Sequence, residues 1–154
     1  MTEDSEERST ELLLEQYKLY VEMTDRTSAR RAEMNKFYIS VLAGLLAVVS
    51  VVIEKSIFAN AQDMVFIAIA LLAILLCVVW TVNIRSYRQL NSIKFNVIHE
   101  MEKDLPFSCY GREWGILQND KNGKSYLRLT LVEQFVPILL TVPYLVLLAY
   151  SVIH

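Results

Sequence analysis

The chain reads as an all-α integral membrane protein. It has three transmembrane helices and a helical cytosolic region, built from an N-terminal arm and the extension of the second span. Three observations predict this. Four glycines and three prolines are few, and all lie at position 44 or beyond 105, so most of the chain lacks the residues that punctuate helices and make turns. Hydrophobic residues make up 54% and charged residues 21%, with a mean hydropathy of +0.33, too apolar for an ordinary soluble domain. The apolar residues gather into three runs separated by charged segments. A length of 154 residues leaves room for one compact unit.

Residues 1–36 form a cytosolic amphipathic arm. Residues 1–10 are an acidic, frayed start, and carboxylates there suit the positive end of the helix that follows. From Glu11 onward, Leu13, Tyr17, Tyr20 and Thr24 share one helical stripe, with Leu12, Leu19 and Met23 beside it. An amphipathic helix of this kind needs a neighbour to lie against. Membrane-surface insertion fits less well, because interfacial helices favour basic polar faces and this one is acidic.

Residues 37–53 are the first span. Ser40, Ala43, Gly44, Ala47 and Ser50 fall on one face at steps of three and four, a pattern that lets helix backbones approach closely in lipid. Residues 54–63 make a short polar periplasmic connection, with Asp63 placed to cap the next helix. The second span, 64–84, is uncharged from Met64 to Trp80. It continues into the 85–130 segment without a breaker as far as Leu105, so a single helix from Met64 to Leu105 would be ~63 Å long. A bilayer's hydrocarbon core takes only ~30 Å of that. Along the part beyond the span, Tyr87, Leu90, Ile93, Val97 and Met101 form an apolar stripe, extended by Leu105 and widened by Ile98. Pro106 then biases Leu105 away from helical geometry.

Residues 106–129 are irregular, with a turn at Asn122-Gly123 and a short helix around Arg112–Leu117. Thr130 and Glu133 match a capping box. It opens the third span, 131–153, which carries Pro137 and Pro143; prolines are commoner in membrane helices than in soluble ones.

The fifteen Lys and Arg residues set the orientation. Arg8, Lys18, Arg26, Arg30, Arg31 and Lys36 precede the first span. Arg85, Arg88, Lys94, Lys103, Arg112, Lys121, Lys124 and Arg128 lie between the second and third, and Lys55 alone sits in the 54–63 connection. The positive-inside rule puts the N-terminus and residues 85–130 in the cytosol and the C-terminus outside. Arg26, Arg30, Arg31, Lys36, Arg85 and Arg88 then form a juxtamembrane basic collar beside anionic lipid headgroups. The acidic N-terminus with its first apolar run at Phe37 does not resemble a secretory leader.

Chemistry is scarce. The spans hold no ionisable residue beyond Glu133 and the thiol of Cys77, whereas ion-coupled transporters place charged residues inside the membrane. There is no phosphate-cradling glycine loop, no H-E-x-x-H and no G-x-S-x-G. No catalytic residue, cofactor site or metal site is expected. His99 and Glu102 share a helical face, but two ligands are too few for a structural metal site. Cys77 and Cys109 suggest neither a disulfide framework nor zinc. Nucleic-acid binding lacks support, because the basic residues hug the membrane without interleaved aromatics. Glu100, Glu102 and Asp104 stand at the C-terminal end of a helix, where negative charge is unfavourable. If the acidic arm lies against them, protonation would relieve the crowding, and assembly becomes acid-sensitive.

Two strings carry a family resemblance. YKLYVEMTDRTSARRAEMNKFY (17–38) leads into the first span, and SYRQLNSIKFNVIHEMEKDLP (86–106) is continued by Tyr110, Glu113 and Trp114. Together they resemble the RipA family of small bacterial inner-membrane proteins, over most of the chain from about Leu12 to Pro137. The resemblance implies a bacterial inner-membrane location, a homo-octamer, and a role in growth inside host cells and adaptation to conditions such as pH. The residues alone also favour an oligomer, since one arm covers only part of the apolar stripe of the second helix. Ser40, Ala43, Gly44 and Ala47 in the first span, and Tyr87, Leu90, Ile93, Val97 and Met101 beyond the second, are the expected packing surfaces. The leading expectation is a non-enzymatic homo-oligomeric scaffold whose partners are itself and membrane lipids. The rival is an oligomeric pore or membrane-permeabilising effector.

Overall fold

The computed structural model describes residues 3–55, 61–119 and 129–153, with side chains over 7–55, 61–117 and 132–153. Its elements are helices α1 (Glu3–Glu54) and α2 (Gln62–Met101), a 3-10 turn (Glu102–Asp104), and helices α3 (Cys109–Asn119) and α4 (Leu129–Ile153). There is no strand among the described residues. The fold is all-α. Three of these helices contain segments long and apolar enough to cross a membrane.

Element ends follow local chemistry. α1 begins at Glu3, ahead of the Glu11 start that the apolar stripe suggests. α2 stops at Met101, and Leu105 takes φ −99° and ψ 153°, the extended geometry that a following proline imposes. α3 is longer than the short helix expected around Arg112–Leu117. α4 starts at Leu129, one residue ahead of the capping box at Thr130. The Asn122-Gly123 turn, Lys121, Lys124, Arg128 and residues 56–60 of the connection lie outside the described residues.

Contacts divide the chain into two units, to both of which α1 and α2 contribute. The first comprises Met1–Arg30 and Tyr87–Leu127; the second comprises Arg31–Ser86 and Arg128–His154.

The second unit is a three-helix bundle. Its core is Tyr38 and Leu42 from α1, Ala73, Cys77, Trp80 and Ile84 from α2, and Tyr144 from α4. Val49, Val52 and Phe66 form a further buried cluster. Ala70, Ala73, Cys77, Trp80 and Ile84 recur at three- and four-residue steps and are all buried. The small members of this stripe are what let α2 approach its neighbours, the role expected of the α1 stripe. Ser40, Ala43, Gly44, Ala47 and Ser50 are exposed, and a Cβ built on Gly44 meets nothing within 4 Å. In lipid the hydrophobic effect does not drive helix association, so van der Waals fit and interhelical hydrogen bonds hold such a bundle.

Those bonds are present. Trp80 Nε1 donates to Asn35 Oδ1 at 2.8 Å and Asn83 Nδ2 donates to the Tyr38 hydroxyl at 2.8 Å. The Tyr38 and Trp80 rings stack at 5.5 Å with 11° between planes. The Tyr144 hydroxyl, fully buried, donates to the Leu42 carbonyl and ties α4 to α1. Arg31 Nε lies 3.6 Å from Glu133 Oε2, just beyond hydrogen-bond range, so the pair interacts through charge alone. α4 continues through Pro137 and Pro143; a proline lacks the N–H that would bond the carbonyl four residues earlier. Thr141 Oγ1 donates to the Pro137 carbonyl at 2.7 Å, supporting the same stretch.

Candidate functional site

The first unit is built on polar groups. α1 turns the Leu13, Tyr17, Tyr20 and Thr24 stripe toward α2, and each of these residues is at least partly covered. α2 and the 3-10 turn after it meet this stripe with Lys94, Ile98 and Glu102, at steps of four, all buried. Lys94 carries its ammonium 5.3 Å from the centre of the Tyr20 ring, a cation–π contact that offsets part of the cost of burying the charge. Pairing Tyr17 with Glu102 and Tyr20 with Lys94 makes α1 and α2 antiparallel in this unit.

Glu102 is the centre of the arrangement. It is 3% exposed. Its Oε1 accepts from the Tyr17 hydroxyl at 3.1 Å and from the Tyr110 backbone N–H at 2.8 Å, and its Oε2 accepts from the Gly111 N–H at 3.0 Å. Tyr110 and Gly111 are in the first turn of α3, where amides have no partner inside the helix and the dipole favours negative charge. The acidic residue that looks misplaced at the end of one helix caps the start of the next. This corrects the expected crowding at Glu102, since donors surround it.

Burial, and after it the hydrogen bond and charge of Glu102, push the Tyr17 phenol well above its ordinary range. Burial, then the carboxylates of Asp25, Glu113 and Glu102, also raise Tyr110. Both phenols therefore remain neutral across physiological pH, and the Tyr17 hydroxyl keeps its proton for Glu102. The Tyr110 ring also packs edge-on against Phe95, with centroids 5.8 Å apart. Three donors from α1 and α3 converge on Glu102, so this centre positions α3.

Beside it runs an open groove between α2 and α3, made of two adjoining hollows that share His99 and Trp114. One, of about 520 Å³, is bordered by Glu102, Lys103, Leu105 and Gly111. The other, of about 580 Å³, is bordered by Ser92, Phe95, Asn96, Tyr110, Glu113 and Leu117. Among the described residues, no three His, Cys, Asp or Glu side chains are grouped to hold a metal. Cys77 and Cys109 are both free thiols.

The remaining sequence candidates are placed as follows. Leu90 and Ile93 are exposed, while Tyr87, Val97 and Met101 are partly covered. Of the basic collar, Arg26, Arg30, Lys36, Arg85 and Arg88 are exposed and Arg31 is partly covered beside Glu133. Arg26 also pairs with Glu22 at 2.7 Å along α1. Sequence reasoning passed over Tyr17 and Glu102 as partners because a separation of 85 residues leaves no periodic signal.

Comparison with known families supplies the frame. A family model described as the octameric membrane protein family (8xMP) matches residues 14–153. The chain belongs to the octameric membrane protein family. The match spans all three apolar helices and the whole of the Tyr17–Glu102–α3 arrangement. No curated protein and no solved structure matches the chain. As a member of the octameric membrane protein family, the chain is a homo-oligomeric membrane protein, and the question its structure poses is what surface the copies share.

Proposed function

We propose that this protein is a non-enzymatic scaffold of the bacterial inner membrane, assembled from eight copies through its first unit. In this reading the N-terminus and residues 85–130 face the cytosol and the C-terminus faces the periplasm, as the distribution of Lys and Arg favours. The basic collar of Arg26, Arg30, Lys36, Arg85 and Arg88 lies against anionic headgroups. The role is support of the envelope under stress, including changes of pH and growth within host cells, in line with the resemblance to the RipA family.

One observation carries the proposal. Among its described residues the first unit buries a single large apolar side chain, Ile98, while Leu12, Leu19, Met23, Leu90, Ile93, Phe107, Trp114 and Ile116 are all exposed. Lipid accounts for exposed Leu and Val in a spanning bundle, but not on a segment as charged as this one. Burial between copies accounts for them.

The test is the particle mass in detergent or nanodiscs. Wild-type protein runs as a multimer of the 17.8 kDa chain, and Leu90→Asp shifts it to smaller species while membrane insertion is kept. An unchanged mass for Leu90→Asp together with Ile93→Asp removes the α2 face from the assembly. Reconstituted vesicles decide between scaffold and pore: selective, reproducible flux through the wild-type particle replaces the scaffold reading with the pore.

A further inference from the structure

α1 carries two parallel apolar stripes in the first unit. Its own chain covers Leu13, Tyr17, Tyr20 and Thr24, whereas Leu12, Leu19 and Met23 are 54%, 61% and 50% exposed. Leu12, Leu19 and Met23 are spaced seven and four residues apart, so they share a face and line up along ~17 Å of helix. This is the pattern of anchors that an amphipathic helix lays into a groove. The groove between α2 and α3 is the concave surface available to receive it. It follows α2 from Ser92 to His99, ~10 Å at the helical rise, and continues along the 3-10 turn to Lys103. Phe95, Trp114 and Leu117 supply an apolar lining, and Glu102, Lys103 and Glu113 border it with charge. The Lys103 ammonium complements Glu11 and Glu15, which lie beside the stripe on α1 and are exposed.

We propose that the Leu12–Leu19–Met23 stripe of one copy docks in the α2–α3 groove of the next, and that this contact closes the ring. The proposal rests on the homo-oligomeric reading above and names the two surfaces it requires. Symmetry supports it. Copies inserted in one bilayer with one orientation are related by an axis along the membrane normal. A ring of more than two such copies needs two different, complementary patches on each, because a self-complementary patch joins two copies and stops. Stripe and groove are such a pair: one convex, one concave. Glu102 gains a purpose here, since by capping α3 it holds Trp114 and Leu117 at the far wall of the groove.

Disulfide trapping in native membranes tests this on the full-length chain. Two differently tagged copies are co-expressed in a Cys77→Ala, Cys109→Ser background, one with Leu19→Cys and the other with Leu117→Cys. Mild oxidation is expected to yield a disulfide-linked pair carrying both tags, in excess over the like-with-like Leu19→Cys pair. A single chain carrying both substitutions is expected to give a ladder of linked copies. Predominance of the like-with-like pair overturns the proposal, as does trapping to an Ile93→Cys chain in place of Leu117→Cys, or linkage confined within one chain. No linkage in a particle whose native mass is still that of a multimer also overturns it and leaves the homo-oligomeric reading standing. A wild-type particle of single-chain mass overturns both.

Discussion

In the second unit Tyr38, Leu42, Val49, Val52, Phe66, Trp80, Ile84 and Tyr144 are buried, and polar side chains serve as ties between helices. The first unit is the reverse: Thr24, Lys94 and Glu102 are buried around Ile98, while its larger apolar side chains face outward. The same two helices run through both. What differs is the solvent each composition suits. A segment facing lipid can leave Leu and Val outside without cost and must satisfy every polar group inside. A charged segment in water has no such freedom, so its outward Leu12, Leu19, Leu90, Trp114 and Ile116 describe a surface awaiting a partner. The second unit is packed around an apolar core within one chain; the first buries little beyond Ile98 and three polar side chains.

Three substitutions break or sharpen this contrast. Trp80→Ala removes a fully buried ring, its stacking on Tyr38 and its bond to Asn35. It is expected to cost ~3–5 kcal/mol, read as a fall in the unfolding midpoint of the detergent-solubilised protein. Because Trp80 lies in the second unit, amide exchange of α3 should change little. Glu102→Ala acts on the first unit, leaving the Tyr17 hydroxyl and the Tyr110 and Gly111 amides without their acceptor. Unpaired buried donors cost ~1–3 kcal/mol, and the loss should appear as faster hydrogen exchange at Tyr110 and Gly111. Glu102→Gln, which keeps an acceptor oxygen, should fall between. Equal exchange in all three proteins would deny the capping role.

The smallest effect is on pH dependence. A phenol whose pKa is higher in the folded state than its ordinary value of 10.0 contributes stability below that value and loses it as pH rises beyond it. The first unit should therefore weaken above about pH 10, and Tyr17→Phe should flatten that alkaline decline while lowering stability slightly at neutral pH. Thermal unfolding between pH 8 and 11 measures the difference in slope. A slope identical to wild type would place the alkaline sensitivity elsewhere.

The all-α class and the three apolar helices are legible in the sequence because lipid demands composition, and composition is visible without coordinates. The covered stripe on α1 is legible too, since Leu13, Tyr17, Tyr20 and Thr24 follow the helical period. The stripe on α2 is only half so. Periodicity groups Tyr87, Leu90, Ile93, Val97 and Met101, yet the face turned inward carries Lys94, Ile98 and Glu102. Hydrophobicity cannot find a face whose buried members are a lysine and a glutamate, because their burial depends on Tyr20, Tyr17 and two amides brought from elsewhere. Small residues mislead in a related way. Gly44 and its neighbours are as small as Ala70 and Ala73, but only the α2 pair is covered within the chain.

The order in which the chain is made gives the Tyr144–Leu42 bond one further consequence. It joins residues 102 apart, so the three-helix bundle cannot close until α4 has left the ribosome. The Trp80–Asn35 and Asn83–Tyr38 bonds span only 45 residues, and every partner of Glu102 has been synthesised by Gly111. Residues as far as Gly111 leave the ribosome before α4 does, so the contacts of Glu102 can form before the bundle closes. The cytosolic contacts of the chain thus form early in synthesis and the membrane bundle last, when Tyr144 arrives to meet Leu42.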